Sequence, residues 1–389
     1  MPPRRRLPPG ARWVTLPSGE RRVELVVDVG TDPATGKRRQ VRRRFKTVDE
    51  AVAEYAKLKG EVRTGTYVGQ SSLTVAQACE NWLAGRRGIR AKTASCYHDA
   101  LRPVITTYGA VAVQRLTKKD IDDLIPLLVA GKLPRSNGKP RRPWKARTVN
   151  LMLFVLGSVL DDLVRQGELA RNVVALVDRL PQVKQEMQTY SPAEVKKVLT
   201  AARPDRLEPA WLLALSGLRR GEICGMRWAD VDLKRRTITI RENNVVVDGL
   251  PMKSEPKSER SKRTLPLTDA LVEVLKRAKR RQAAERRRAG DAYRDTGYLV
   301  VNELGEQLHP ETVADKWDTL VKRASVRRIR LHDARHTCGT LMHLQGVPVA
   351  VIAAWLGHAD PAFTMRTYVH SQDHALHDAA RVLGHVTSA

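Results

Sequence analysis

Only four cysteines occur in 389 residues, Cys79, Cys96, Cys224 and Cys338, and no two form a C-x-x-C pair. Such scatter argues against a zinc site and fits reduced thiols in a cytosol. Long apolar runs are missing too. With 29% charged residues and a mean hydropathy of −0.39, no stretch reaches the roughly 18 apolar residues of a membrane span. The first ten residues, Met1 to Gly10, hold three arginines with no apolar stretch after them, so no secretory signal is expected. Internal repeats at a solenoid period are absent. Acidic residues are scarce relative to basic ones: 42 Asp and Glu face 69 Lys and Arg, a formal charge of +27. A pI near 10.4 points to a polyanionic partner, most simply nucleic acid.

The excess is not a tail. It amounts to +8 over residues 1–70, +9 over 71–186 and +10 over 187–389. Charge on every segment implies that several segments touch a nucleic-acid backbone together. With 42% apolar residues the chain is long enough for two or three cored domains, and three are expected. Residues 1–68 read as a three-stranded meander followed by a helix opened by the capping box Thr47-Val-Asp-Glu50. Arg39, Arg42, Arg43 and Arg44 lie on or beside its third strand and are candidates for DNA contact. Residues 73–180 read as all-helical. They contribute Lys92 on a helix and Arg141 and Arg142 on the long basic loop 131–147 as further candidates. Residues 187–389 read as mixed helix and strand, restarting at the capping box Ser191-Pro-Ala-Glu194. The expected class is multidomain, mostly α with small β-sheets.

Histidine placement carries the chemistry. Seven of the ten histidines lie between His332 and His377. Within that stretch, His332-x-x-Arg335-His-Thr places His332 and Arg335 on one helix face. Leu356-Gly-His358 and Tyr368 follow; upstream are Gly217-Leu-Arg219-x-Gly-Glu222 and the basic segment Glu255 to Pro266, read as a hairpin. Singly, each residue is an ordinary core or surface group. A metal site is disfavoured, because His-x-x-Arg is not a metal-ligand spacing and Asp333 and Asp360 are not placed as co-ligands.

Taken together and in this order, the motifs resemble the tyrosine recombinase (phage integrase) family. The likeness is specific over about 190–375. It is looser in the amino-terminal half, which is similar to the arm-binding and core-binding domains of phage and mobile-element integrases. The resemblance implies a site-specific recombinase that cuts and rejoins DNA through a 3′-phosphotyrosyl link. It implies Tyr368 as nucleophile, Arg219 and Arg335 as clamps on the phosphate oxygens, and His332 as an aid to proton movement. His358 would donate to the same phosphate, Lys257 would protonate the departing 5′ oxygen, and Glu222 would buttress the centre. Lys253 and Lys262 compete with Lys257, depending on hairpin register.

Elementary chemistry asks for such a set. A phosphodiester gains negative charge as a fifth oxygen approaches, and guanidinium forks match its oxygens. A phenol with a pKa near 10 needs help to ionise, and the leaving alkoxide needs an acid. No cofactor is implied: protein cations stand in for a metal, and the phosphotyrosine keeps the bond energy, so the lack of a G-x-x-x-x-G-K-[ST] loop fits. The implied partners are double-stranded attachment sites of core and arm types, a homotetramer on DNA, an excisionase and a host DNA-bending factor, all in the bacterial cytoplasm at the nucleoid. The Ala/Leu pattern of 374–383 either covers its own domain or docks on a neighbouring protomer. Competing readings are an idle architectural DNA-binding protein, a type IB topoisomerase and a chromosome-dimer resolution recombinase.

Overall fold

The computed structural model describes residues 6–31, 36–65, 67–135, 138–183, 187–254 and 262–358. The chain forms two compact units, residues 1–183 and 184–389.

The first unit opens with strands β1 (Ala11–Thr15), β2 (Arg21–Thr31) and β3 (Arg38–Phe45), antiparallel in the order β1-β2-β3. Helix α1 (Val48–Arg63) follows, and the Thr47 hydroxyl accepts from Glu50 N at 3.2 Å to cap it. Strand alternation sends Leu25 and Val27 toward α1, where they bury with Leu58. The same alternation divides the four arginines. Arg43 sits opposite Leu25 and pairs with Glu54 of α1; Arg42 and Arg44 sit opposite Val26 and Glu24 on the other face. There the buried Glu24 carboxylate accepts from Arg12 at 2.8 Å and Arg44 at 3.0 Å.

Helices α2 (Val75–Ala84), α3 (Ala91–Tyr108), α4 (Lys118–Val129) and α5 (Ala146–Arg165) complete the unit. Capping boxes start α2 at Thr74 and α4 at Thr117. A separate apolar core gathers Leu101, Leu124, Met152, Leu156 and Leu160. Fully burying side chains of this size removes roughly 1.5–3 kcal/mol of hydration cost apiece, which orders four amphipathic helices whose isolated forms would be marginal.

The second unit starts with α6 (Pro192–Ala202), α7 (Glu208–Leu215) and the short α8 (Arg220–Gly225). Strands β4 (Val231–Asp232) and β5 (Thr237–Ile240) pair with β8 (Arg263–Pro266) in the order β4-β5-β8. Between them β6 (Asn243–Val247) and β7 (Leu250–Ser254) make a two-stranded ribbon. Its turn, Asp248-Gly249, has positive φ at both residues (49° and 81°), the geometry that a two-residue hairpin favours. Of the segment Glu255 to Pro266 that the sequence suggests as a hairpin, residues 255–261 lie outside the described residues. Among the described pairings, β8 joins β5 rather than β7, because the apolar alternation Ile238/Leu265 directs both strands onto the unit's core. Helices α9 (Asp269–Ala289), α10 (Pro310–Arg323), α11 (Leu331–Leu344) and α12 (Val349–Leu356) close the unit. Trp211 and Trp317 anchor the core with ring centroids 5.8 Å apart, and Trp317 Nε1 donates to Ile329 O at 2.9 Å.

Candidate active site

The motifs converge on one buried carboxylate. Arg219 precedes α8 and Glu222 lies in its first turn, where Glu222 Oε2 accepts from Arg219 N at 2.9 Å as the helix's cap. A carboxylate at a helix start also faces the positive end of the helix. Glu222 Oε1 accepts from Arg219 Nη1 at 2.7 Å. Arg263 of β8 donates to both oxygens, Nη1 to Oε1 at 3.1 Å and Nη2 to Oε2 at 3.0 Å. Arg335 Nη1 stands 3.9 Å from Oε2. Burial alone would raise the Glu222 carboxyl, but Arg263, then Arg219 and Arg335, hold it below the usual carboxylate range.

The three guanidiniums then knit the site's turns together. Arg335 is only 1% exposed; it donates Nη1 to Gly217 O at 2.7 Å and Nη2 to Leu356 O. Arg219 Nη2 reaches Gly357 O at 2.9 Å and Arg263 Nε reaches Trp355 O at 2.6 Å. Trp355 Nε1 closes the loop on Ser216 O at 2.8 Å. Gly217 must be glycine: its φ is +96°, and a Cβ there would meet Leu356 Cδ2 at 2.7 Å and Cys338 Sγ at 3.2 Å. Thus Gly217, Arg219, Glu222, Arg335 and the Leu356-Gly-His358 turn form one hydrogen-bonded cluster. Of its guanidiniums, Arg219 is the accessible one, with 32% of its side chain exposed against 7% for Arg263.

Three histidines line the cluster. His332 and His336, four apart on α11, meet edge to face with centroids 4.9 Å apart. His332 keeps an exposed edge; desolvation of the remainder, then the Arg335 cation, lower its pKa. His336 is pushed down to about 4 by burial and then by His332. His358 follows the left-handed Gly357 that ends α12 and is pushed down to about 3 by burial and by the Arg335 and Arg219 cations. All three imidazoles are neutral at pH 7, so fixed positive charge comes from the guanidiniums. Asp333 caps α11 instead of joining the cluster: it accepts from Arg330 N at 3.0 Å and from the Arg330 guanidinium. Among the described residues, no group of three His, Cys, Asp or Glu side chains is placed to hold a metal ion.

Arg219, Glu222, His332, Arg335 and His358 are therefore brought together as the sequence motifs suggest. Tyr368 and Lys257 lie outside the described residues. Lys253 is exposed on β7 opposite Asn244, and Lys262 is exposed just ahead of β8. In the first unit Arg39 is exposed near Gly69, and Lys92 is exposed on the first turn of α3. Arg142 is exposed and Arg141 partly buried in the loop before α5. Sequence reasoning missed Arg263. The only cue was its place one residue before Thr264-Leu265-Pro266 on an alternating strand, which gives no sign of a buried ion pair.

Residues 184–375 match the family model described as the phage integrase family. A tyrosine recombinase XerC-like protein of Caldanaerobacter subterraneus subsp. tengcongensis is 26% identical over 377 residues, spanning 91% of this chain and 93% of that protein. The ICEBs1 integrase of Bacillus subtilis is 26% identical over 363 residues, 91% of this chain and 94% of the relative. A Tn1549 transposon integrase in complex with a circular intermediate DNA shares the fold, with a TM-score of 0.64 at 18% identity over 80% of this chain and 100% of that chain. A lambda integrase tetramer bound to a Holliday junction is similar over 94% of this chain and 96% of that chain, with a TM-score of 0.56 at 17% identity. By its motifs, its fold and the matched family model, the part of the chain over residues 184–375 belongs to the tyrosine recombinase, or phage integrase, family.

Proposed function

We propose that this protein is a site-specific recombinase that integrates and excises a phage or other mobile element. The observation that carries the reading is that Arg219, Arg263 and Arg335 converge on the carboxylate of Glu222, with His332 and His358 beside the Arg219 and Arg335 cations. In the proposed reaction Tyr368 Oη attacks a scissile phosphate, forming a 3′-phosphotyrosine. The phosphorus–5′ oxygen bond breaks, and the departing oxygen takes a proton from Lys257. Religation runs the same step backward with a 5′ hydroxyl from the partner strand.

Arg219, the accessible guanidinium, clamps a non-bridging oxygen directly. Arg335 gives two of its donors to the Gly217 and Leu356 carbonyls, so in this reading it sets the cavity's shape as well as its charge. His358, neutral before DNA arrives, donates a hydrogen bond to the phosphate, and His332 relays the Tyr368 proton. Glu222 fixes the guanidiniums and offsets part of their mutual repulsion.

Strand β3 with Arg42 and Arg44 on the face away from α1, Lys92, and the loop bearing Arg141 and Arg142 are proposed to hold DNA of arm and core types. The protein is proposed to work as a homotetramer at the nucleoid of a bacterial cytoplasm, with an excisionase and a DNA-bending host protein setting direction. A plasmid carrying both attachment sites of the element tests the reading. Recombinant product should form without ATP, and a plasmid lacking the sites should not be relaxed. Site-independent relaxation would instead make the protein a topoisomerase.

A further inference from the structure

A cavity of about 500 Å³ lies between α3 and the loop before α5, far in sequence from the motifs of the candidate active site. Its wall carries Arg102, Arg135, Arg141, Arg142, Trp144 and Lys145. Asp99 also lines it, but its carboxylate accepts from Arg102 at 2.6 Å.

Arg141 is the anomaly. Its Nε and Nη2 are buried, and neither has a hydrogen-bond partner. A guanidinium has five donors and no acceptor, and leaving buried donors unmet is costly. Among the described residues no carboxylate compensates: burial, then the Arg135 and Arg102 cations, weaken its hold on its proton. The Trp144 ring, with its centroid 5.4 Å from Arg141 Cζ, offers a soft contact.

The described residues around Arg141 are tied to their neighbours. Trp144 N donates to Leu128 O at 2.9 Å, and Arg135 N to Lys139 O at 2.9 Å. Gly131, with φ +68°, lets the Arg141 carbonyl approach so closely that a Cβ would stand 2.8 Å from it. Helix α5 also begins at this wall, and Lys145 at its N-cap makes no side-chain cap. The positive end of the helix dipole thus adds to the arginines.

An assembly of like charges with unmet donors is an unfavourable arrangement for an empty protein and a favourable one for an anion. We infer that this cavity is a preformed seat for one backbone phosphate of duplex DNA, with Arg141 as its fork. The inference rests on the DNA-binding reading above and adds a defined ligand group and a defined residue to it. Fixing one phosphate beside α5 would set the register of the helical segment on the duplex without reading any base.

Full-length wild type, Arg141→Met and Arg135→Gln are compared by titration with a short duplex of arbitrary sequence across a range of salt. The Met variant keeps the stem on Trp144 and removes the fork. Arg135 is exposed, so its variant keeps the test alive if the first fails to fold. The expected result is about ten-fold weaker binding for Arg141→Met at low salt, with the slope of log K against log salt smaller in magnitude by about one. Its melting temperature should be unchanged or raised, because a partly buried guanidinium with two unmet donors has been removed. Arg135→Gln should weaken binding in the same direction. Unaltered affinity and slope in both variants would overturn the inference while leaving the recombinase reading intact. Inorganic phosphate that stabilises wild type but not Arg141→Met, with duplex binding equal in the two, would reassign the cavity to a free anion and equally overturn it. A wild-type protein that bound no duplex would sink the DNA reading and this inference with it.

Discussion

The helical core of the first unit and the interior around Glu222 are both well buried, yet they are made of opposite materials. Among the described residues, α2 to α5 enclose aliphatic and aromatic groups with one buried polar side chain, Asn150, which meets Leu180 N and O at 3.0 and 2.8 Å. The second unit buries Glu222, Asp333, Arg335, His336 and Thr337 within a few turns of each other. The first core is what hydrophobic burial alone would build. The second costs desolvation of several charges, and paired ions in an interior offset little more than that cost. A fold keeps such an arrangement where a fixed array of donors is needed for charge that develops during a reaction. Buried charge therefore marks the site here better than any cavity does.

That contrast can be broken at graded strengths. The largest expected effect is chemical: Arg219→Ala should slow strand cleavage by about 10²–10³-fold while DNA binding falls far less, as single-turnover cleavage against a binding titration would show. An equal loss in both would mean that Arg219 serves binding only. Next come two stability changes of similar size and different kind. Glu222→Gln should destabilise the second unit by about 3–5 kcal/mol, because three guanidiniums lose their shared counter-charge. Leu156→Ala should cost the first unit about 2–5 kcal/mol through cavity formation. Urea unfolding of both variants checks the pair, and the Glu222 variant alone should regain stability when anions are added. If Glu222→Gln is as stable as wild type, the ionic cluster is not what holds the Gly217 and Leu356 turns.

The effect that is smallest per increment is in pH. His336 and His358 have pKa values depressed from 6.5 to about 4 and about 3. In the unfolded chain they bind protons at a higher pH than in the fold, so their contribution is complete above about 6.5 and is lost as pH falls toward the depressed values. Allowing for solvent screening, each imidazole should cost the second unit about 1 kcal/mol per pH unit between about pH 6 and 4. His358→Asn should flatten that decline. The first unit's helical core buries no histidine among its described residues, and its stability should stay level over the same window.

How far the sequence foretold this follows the same divide. Helix ends set by local chemistry were legible: Thr47 and Ser191 each cap a helix. So were Arg219, Glu222, His332, Arg335 and His358, since their spacing and order are properties of the chain. Features created by distant segments were not. Arg263 gains its meaning only when β8 lies beside α8 and the end of α12. The division of Arg42 and Arg44 from Arg39 and Arg43 depends on strand register, and the unmet donors of Arg141 appear only once α3 and its loop close on each other.

The most direct test of the central claim is covalent trapping. The full chain is incubated with a nicked duplex of its own attachment site, and the products are denatured and separated. The account predicts a protein–DNA adduct whose DNA is joined through a 3′ phosphate to Tyr368, absent from Tyr368→Phe and scarce in Arg219→Ala. An adduct that persists in Tyr368→Phe, or none with any segment of the element's junction DNA, would contradict it.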